Sequence, residues 1–359
     1  MRCISAGAHP LARISARLLR ALAVVPPILF AAGIGIASAQ ELKPLNVLMY
    51  AGLIHEQNLR VAIGAGFFKK HGLDVKLVQV ESGPVGIAAV QGGSIDIGAA
   101  DSNLPMLANV KGSDFQIVCG ASGLYMVAIS GPGLALPNLS AGYPAVMKDF
   151  QGKNLGVTGL ASSTHFFWRA LFEGAGLNPD SANYIAVGLA APAVQALRGQ
   201  KIDAYMGFEP VPTIVRDGGM GGKIAVDIRP PANHGPKEIT QIDPQLIFFA
   251  KRSYIAANSD KVAAFNRALM EAAAWQKDPA NLDKIVDIMK GTASVGDVPN
   301  PDAVFRRMIQ DNIPVVTKTK VTREGLRAWI VFMQKFAGYP TNIDVEKRID
   351  ETIWQGACS

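Results

Sequence analysis

The chain carries one α/β unit twice. Val80 to Asn103 reads VESGPVGIAAVQGGSIDIGAADSN, and Val187 to Pro210 reads VGLAAPAVQALRGQKIDAYMGFEP. The two segments align without a gap at a spacing of 107 residues, matching Gly92 with Gly199, Ile95 with Ile202 and Asp96 with Asp203. Each follows a helical stretch ending in Gly-Leu (Gly72-Leu73 and Gly176-Leu177) and an apolar run. A duplicated unit implies two like lobes, and a cleft between lobes is a common place to enclose a small molecule.

The periodicity around the repeat is that of an α/β protein with mostly parallel sheets. Strands are expected at Leu45 to Tyr50, Val75 to Val80, Ile95 to Ala99, Phe115 to Cys119 and Tyr125 to Ile129, alternating with helical spacing at Gln57 to Lys70, Val85 to Gln91 and Leu104 to Val110. A second series opens with the strand after Lys153 and a helix from about Ser163 to Gly174. Gln245 to Ala250 reads as a strand with no counterpart in the repeat. After it the pattern is helical: Asp260 to Lys277 behind Ser259 as N-cap, then Leu282 to Lys290, Asp302 to Asp311 and Glu324 to Phe336. The two unmatched strands, Tyr125 to Ile129 and Gln245 to Ala250, read as crossovers. Lobe one would comprise residues 40–128 and 246–359, and lobe two residues 129–245. Two connecting strands permit hinge closure on a ligand.

Residues 1–39 read as an export leader rather than as fold. Arg2, Arg13, Arg17 and Arg20 precede an apolar run from Ala21 to Ala37, and Ala37-Ser38-Ala39 forms a cleavage site before Gln40. Cleavage after Ala39 would release the protein to the periplasm. Four of the charges in the formal net charge of +6 are these arginines, leaving +2 for the processed chain. That balance, without a basic stripe, excludes a nucleic-acid surface. Cys3 falls in the leader. Cys119 lies in an apolar run and Cys358 in the last two residues, which reads as one buried thiol and one frayed thiol, with a disulfide left open. No Cys/His spacing points to a metal, and no cofactor is expected.

In parallel α/β sheets, ligands meet the loops beyond the strand carboxyl ends, where helix N-termini point. The Gly159 to Thr164 loop places three consecutive hydroxyls, Ser162, Ser163 and Thr164, at a helix start. Such a start suits a carboxylate or sulfonate, or the hydroxyls simply cap the helix. Asp101, Ser102 and Asn103 form a polar triplet after an apolar strand and are either ligand donors and acceptors or caps. Glu209 stands at the equivalent place in the second copy; it could take a ligand amine, and bracing of its own loop is the favoured role. Gly52, Leu53 and His55 follow the first strand, Ser82 the second, and His165 the Ser/Thr run. Phe208 and Tyr50 could form an apolar wall. Asp96 and Asp203, repeated in Gly-x-x-Ile-Asp, read as scaffold; Met126 and Phe248-Phe249 read as core. No nucleophile elbow, zinc-protease motif, P-loop or dinucleotide fingerprint is present, which argues against catalysis.

Five ordered segments carry a family resemblance: GFFKKHGLDVKLVQVESG, AAVQGGSIDIGAADS, DFQGKNLGVTGLASSTHFFWRALFEGAGL, ALRGQKIDAYMGFEP and FFAKRSYIAANSDKVAAFNRALMEAAAWQKDP. From about Leu45 to Trp354 the chain resembles the periplasmic solute-binding proteins of ABC importers in the sulfonate, nitrate and taurine group, which share their fold with thiamine-pyrimidine precursor synthases. The resemblance implies a type II periplasmic-binding-protein fold: two Rossmann-like lobes joined by two crossover strands, with a ligand cleft between them. The leading expectation is a receptor, by default a monomer, that hands a small organic solute to an inner-membrane ABC permease. The Ser/Thr-rich helix start favours a carboxylate or sulfonate, and a neutral or amine-bearing solute held by Asp101 or Glu209 is the runner-up. In the family, ligand contacts commonly come from the first strand–helix loop, the loop after Gly-x-x-Ile-Asp-x-Gly, and the Ser/Thr-rich loop of lobe two. Here these are His55 and its neighbours, Asp101 to Asn103, and Ser162 to Thr164. A synthase-like enzyme and a sensing receptor uncoupled from transport are the alternatives; the cysteine-rich iron motif of the synthases has no match here.

Overall fold

The computed structural model describes residues 41–50, 56–80, 83–292 and 294–359, and the leader and the expected site residues Gly52, Leu53, His55 and Ser82 lie outside these. Numbered in chain order, the strands are β1 (Lys43–Tyr50), β2 (Leu73–Val80), β3 (Gly98–Asp101), β4 (Phe115–Ser122) and β5 (Val127–Ser130), followed by β6 (Asn154–Val157), β7 (Asn183–Ala186), β8 (Ala204–Gly207), β9 (Ile224–Asp227) and β10 (Leu246–Lys251).

Both copies of the repeat build the same sheet. In the first, β1 pairs in parallel with β2, and Val47 bridges Ile97 at the foot of β3. β10 then runs antiparallel between β3 and β4, so the order is β2-β1-β3-β10-β4. The second sheet reads β7-β6-β8-β5-β9, with β5 antiparallel to both of its neighbours. In each sheet the fourth place is taken by a strand arriving from the other: β5 follows β4 across, and β10 follows β9 back. These are the two strands without counterparts in the repeat. β4, β5 and β8 are buried along their whole length, which is why they read as unbroken apolar runs rather than alternating ones.

The repeated aspartates are scaffold, as their repetition implies. Asp96 Oδ2 accepts the backbone N–H of Asn46 at 2.8 Å, and Asp203 Oδ2 accepts that of Asn154 at 2.7 Å. Each carboxylate thereby ties the start of its own strand to the neighbouring one. Each copy also ends its first helix on a left-handed residue, Gly93 at φ 81° and Gln200 at φ 53°. The next N–H then reaches back to a helix carbonyl (Ser94 to Ala89 at 3.1 Å, Lys201 to Ala196 at 2.9 Å), closing a Schellman-type turn. Glycine adopts that conformation freely; glutamine does so at a steric cost.

Sequence and structure part in several places. β9 has no counterpart in the expected elements, because it is four residues long and sits between a glycine-rich turn and a proline-rich loop. The third strand lies at Gly98–Asp101 rather than Ile95 to Ala99. Ser259 is the first residue of the helix Ser259–Gln276, and Asn258 precedes it without a side-chain cap. The cysteines are joined: Cys119 and Cys358 form a disulfide with S–S 2.03 Å and Cα–Cα 4.8 Å, and Cys358 is 3% exposed rather than frayed. The tail reaches β4 because Trp354 N–H donates to Ile117 O at 3.0 Å and Cys358 N–H to Val118 O at 3.1 Å. Met126, Phe248 and Phe249 are core residues.

The C-terminal helices touch both sheet layers. Trp329 stacks on Phe167 at a centroid distance of 6.0 Å, and Phe332 meets it edge-on at 5.2 Å. Arg216, at the end of the helix Val211–Asp217, pairs with Asp311 of the helix Pro301–Val316 at 2.9 Å. Glu41–Ser359 is accordingly one compact unit. No helix among the described residues is long and apolar enough to cross a membrane.

Candidate functional site

The parallel strands β1 and β3 of one sheet and β6 and β8 of the other end in loops that bear the expected site residues. From the first sheet, Asp101 closes β3 and is half-buried. The Tyr125 hydroxyl donates a hydrogen bond to it. Burial raises the Asp101 pKa above the ordinary carboxylate value; Tyr125, the Ser163 hydroxyl and the Gln245 carboxamide, all facing it, act in the opposite direction. Ser163 opens the helix Ser163–Gly174 of the second layer. The structure thus brings Asp101 and Ser163, 62 residues apart in the chain, to one point between the two layers.

Tyr125 and Gln245 were not singled out by the sequence reading. Gln245 immediately precedes β10 and Tyr125 lies two residues before β5, and the Tyr125 N–H donates to Gln245 Oε1 at 3.2 Å, tying the two crossings together. The unmatched strands were the available signal: residues at the mouths of two adjacent crossings must face both layers. Ser102 serves the same junction. Its hydroxyl donates towards Pro244 O and Gln245 O, both at 3.2 Å, and it is fully buried. Asn103 is 4% exposed, and its carboxamide oxygen has no partner among the described residues. Tyr50, Tyr125 and Phe208 are buried aromatic residues around Asp101. The Tyr50 hydroxyl donates to Ala99 O at 3.2 Å, and the Tyr125 and Phe208 rings meet edge-on at 5.5 Å.

The Ser/Thr run is largely engaged within itself. Ser162 caps the helix, accepting the His165 N–H at 3.5 Å. Thr164 Oγ1 accepts the Thr158 N–H at 2.9 Å and meets Ser162 Oγ at 2.7 Å. His165 turns away from Asp101: its Nδ1 accepts the Ala161 N–H at 3.1 Å, and its ring lies 4.6 Å from that of Tyr184. Burial first, then the Arg169 charge, lowers its pKa, which favours the neutral ring.

Glu209 braces its loop. Its carboxylate accepts the Thr213 N–H at 3.2 Å and pairs with Arg229 at 2.9 Å, and it is 3% exposed. Arg229 also grips Asp227 at the end of β9, at 2.7 Å. Burial opposes the Arg229 charge, but the two carboxylates outweigh it and raise its pKa. Glu56, beside the first loop, accepts the Tyr50 N–H with both oxygens, at 3.0 and 3.1 Å. Burial pushes its pKa up to about 8, against the Tyr50 hydrogen bond and the Arg60 charge. Among the described residues, no group of three or more His, Cys, Asp or Glu could hold a metal.

The sequence profile of the NMT1-like family matches residues 38–290. The chain belongs to the NMT1-like family. Among solved structures, this NMT1-like protein is similar to a protein from Bordetella bronchiseptica (24% identity, 88% of this chain and 95% of that one, TM-score 0.66). It is also similar to the periplasmic aliphatic sulphonate binding protein SsuA from Escherichia coli (18%, 87% and 98%, TM-score 0.65). A third is the periplasmic nitrate-binding protein NrtA from Synechocystis (16%, 88% and 87%, TM-score 0.64). The fold is the type II periplasmic-binding-protein fold, as the sequence resemblance implied. A curated relative, the bicarbonate transport ATP-binding protein CmpC of Synechocystis, is 26% identical over 253 residues. That match takes in 67% of this NMT1-like chain but 36% of CmpC, so the chain spans about a third of that relative's length.

Proposed function

We propose that the protein is an extracytoplasmic receptor that closes on a small organic solute and delivers it to an inner-membrane ABC permease. The observation that carries this reading is the meeting of Asp101 and Ser163, which joins the strand-end loops of the two layers at the crossings. Residues 40–128 and 246–359 act as one lobe and residues 129–245 as the other; a ligand touching both favours the closed state, and the permease reads that state. The protein works as a monomer, without cofactor or catalysis, and transport energy comes from partner ATPase subunits. Two features support export to the periplasm: the basic leader ending at Ala39, and the disulfide, a bond that persists in oxidising compartments.

The hydroxyl-rich helix start supports a carboxylate or sulfonate ligand, in keeping with the sulphonate- and nitrate-binding proteins among the structural neighbours. Asp101 favours a second reading, a solute that donates hydrogen bonds. Native mass spectrometry of protein released from the periplasm without denaturation tests receptor function directly. A stoichiometric small molecule, released intact on unfolding, is the expected result. Conversion of the bound compound by the purified protein refutes the receptor reading and favours an enzyme.

A further inference from the structure

After its last strand the chain leaves the first sheet, reaches the second layer and returns, and both footholds of this excursion are on β4. At the outgoing one the Gly120 N–H donates to Thr319 O at 2.8 Å. At the returning one the Trp354 N–H donates to Ile117 O at 3.0 Å and the Cys358 N–H to Val118 O at 3.1 Å. The Val321 N–H donates to Cys358 O at 3.0 Å, so the footholds also hold each other. The disulfide from Cys119 of β4 fixes the returning one covalently. We propose, building on the receptor reading, that residues 321–353 are a strap between the lobes and that the Cys119–Cys358 disulfide sets how far the cleft opens.

The middle of the strap belongs mechanically to the second layer. Its helix Arg323–Phe336 buries Trp329 and Phe332 against Phe167 of the helix Ser163–Gly174, whose first turn carries Ser163 and Thr164 of the candidate site. Parting these rings would expose apolar surface to water, so the two helices move together. Farther along, Lys335 pairs with Glu173 of that same helix at 2.6 Å and with Glu238 at 3.3 Å. At its other end the strap helix grips the return crossing. The Thr322 hydroxyl donates to Asp243 O at 2.9 Å and the Trp329 indole N–H to Pro244 O at 3.0 Å. The following helix, Val345–Thr352, is carried along, because Glu346 pairs with Arg323 at 2.8 Å and with Arg327 at 2.6 Å. Separating the layers therefore loads the footholds on β4. With the disulfide in place, a covalent bond takes that load at the returning foothold. Without it, the load falls on the Trp354 and Cys358 hydrogen bonds and on the Asn266 carboxamide, which donates to Gly356 O at 2.9 Å. Single hydrogen bonds yield far more readily, since water replaces what they lose.

The test is the distance between spin labels placed by Val85→Cys and Leu160→Cys, exposed apolar residues that follow β2 and β6, read by double electron–electron resonance on unliganded protein. Cys119→Ala with Cys358→Ala should lengthen and broaden the distance distribution. Lys335→Glu keeps the disulfide and sets like charges against Glu173 and Glu238. It should shift the distribution the same way by less, since the pairs it breaks are solvent-exposed. Being at an exposed position, it also decides the matter if the cysteine variant fails to fold. An unchanged distribution in either folded variant overturns the strap. That result leaves the receptor reading intact in a protein that releases a small molecule on unfolding. One fixed distance in every variant, with no small molecule released, overturns both.

Discussion

Asp101-Ser102-Asn103 and Phe208-Glu209-Pro210 occupy the same place in the two copies of the unit, and the structure uses them in opposite ways. In the second copy the acid is neutralised within the protein: Glu209 is buried on Arg229 and the loop is braced from inside. In the first, Asp101 meets neutral groups, and one of them, Ser163, belongs to the opposite layer. The two loops follow equivalent strands and differ in whether a cation is supplied. A scaffold can be duplicated while its two copies compensate their acids differently, because fold depends on the shared pattern and local chemistry on a few side chains.

The comparison breaks most sharply at Arg229. Arg229→Met leaves Glu209 and Asp227 without their cation, and urea unfolding should show a loss of about 3–5 kcal/mol, partly restored by adding Glu209→Gln. The sheets also differ in that the first is stapled to the tail. Reduction, or Cys119→Ala with Cys358→Ala, should lower stability by about 2–4 kcal/mol, measured as a fall in the urea midpoint.

The first sheet holds a second carboxylate with little compensation, Glu56. Its pKa is raised on folding to about 8, so the folded state holds the proton more tightly than the unfolded state. Its contribution is therefore favourable at low pH and is lost as pH rises towards 8. Unliganded protein should be more stable near pH 5 than near pH 8 by about 1–3 kcal/mol, and Glu56→Gln should flatten that slope. The same sign applies to Asp101. Asp101→Asn should stabilise the unliganded protein at neutral pH, whereas Glu209→Gln should destabilise it by taking a carboxylate from the buried Arg229. Smallest is the helix end at which the copies carry different residues: Gln200→Gly should raise stability by about 0.5–1 kcal/mol, and Gly93→Ala should lower it by about 1 kcal/mol.

Much of the fold was legible because it repeats local patterns. The helix at Ser163 to Gly174 begins and ends where its apolar spacing placed it, and the unmatched strands are the crossing strands β5 and β10. The candidate site was legible only as loops. Asp101, Ser163 and the Tyr50 and Phe208 rings come together, while His165 turns towards Tyr184 and Ser102 towards the return crossing. For Tyr125 and Gln245 the unmatched strands were the only sequence signal; their role arises from two crossings meeting, 120 residues apart in the chain.

The sequence by itself determined the two sheets and their common scaffold, because strand and helix periodicity, glycine turns and the Gly-x-x-Ile-Asp ties act over a few residues and recur in both copies. Tertiary structure alone decided the partners: Arg229 for Glu209, Ser163 for Asp101, and Cys358 for Cys119 across 239 residues. Charge compensation depends on what burial brings within a few ångströms, and no local pattern records that distance.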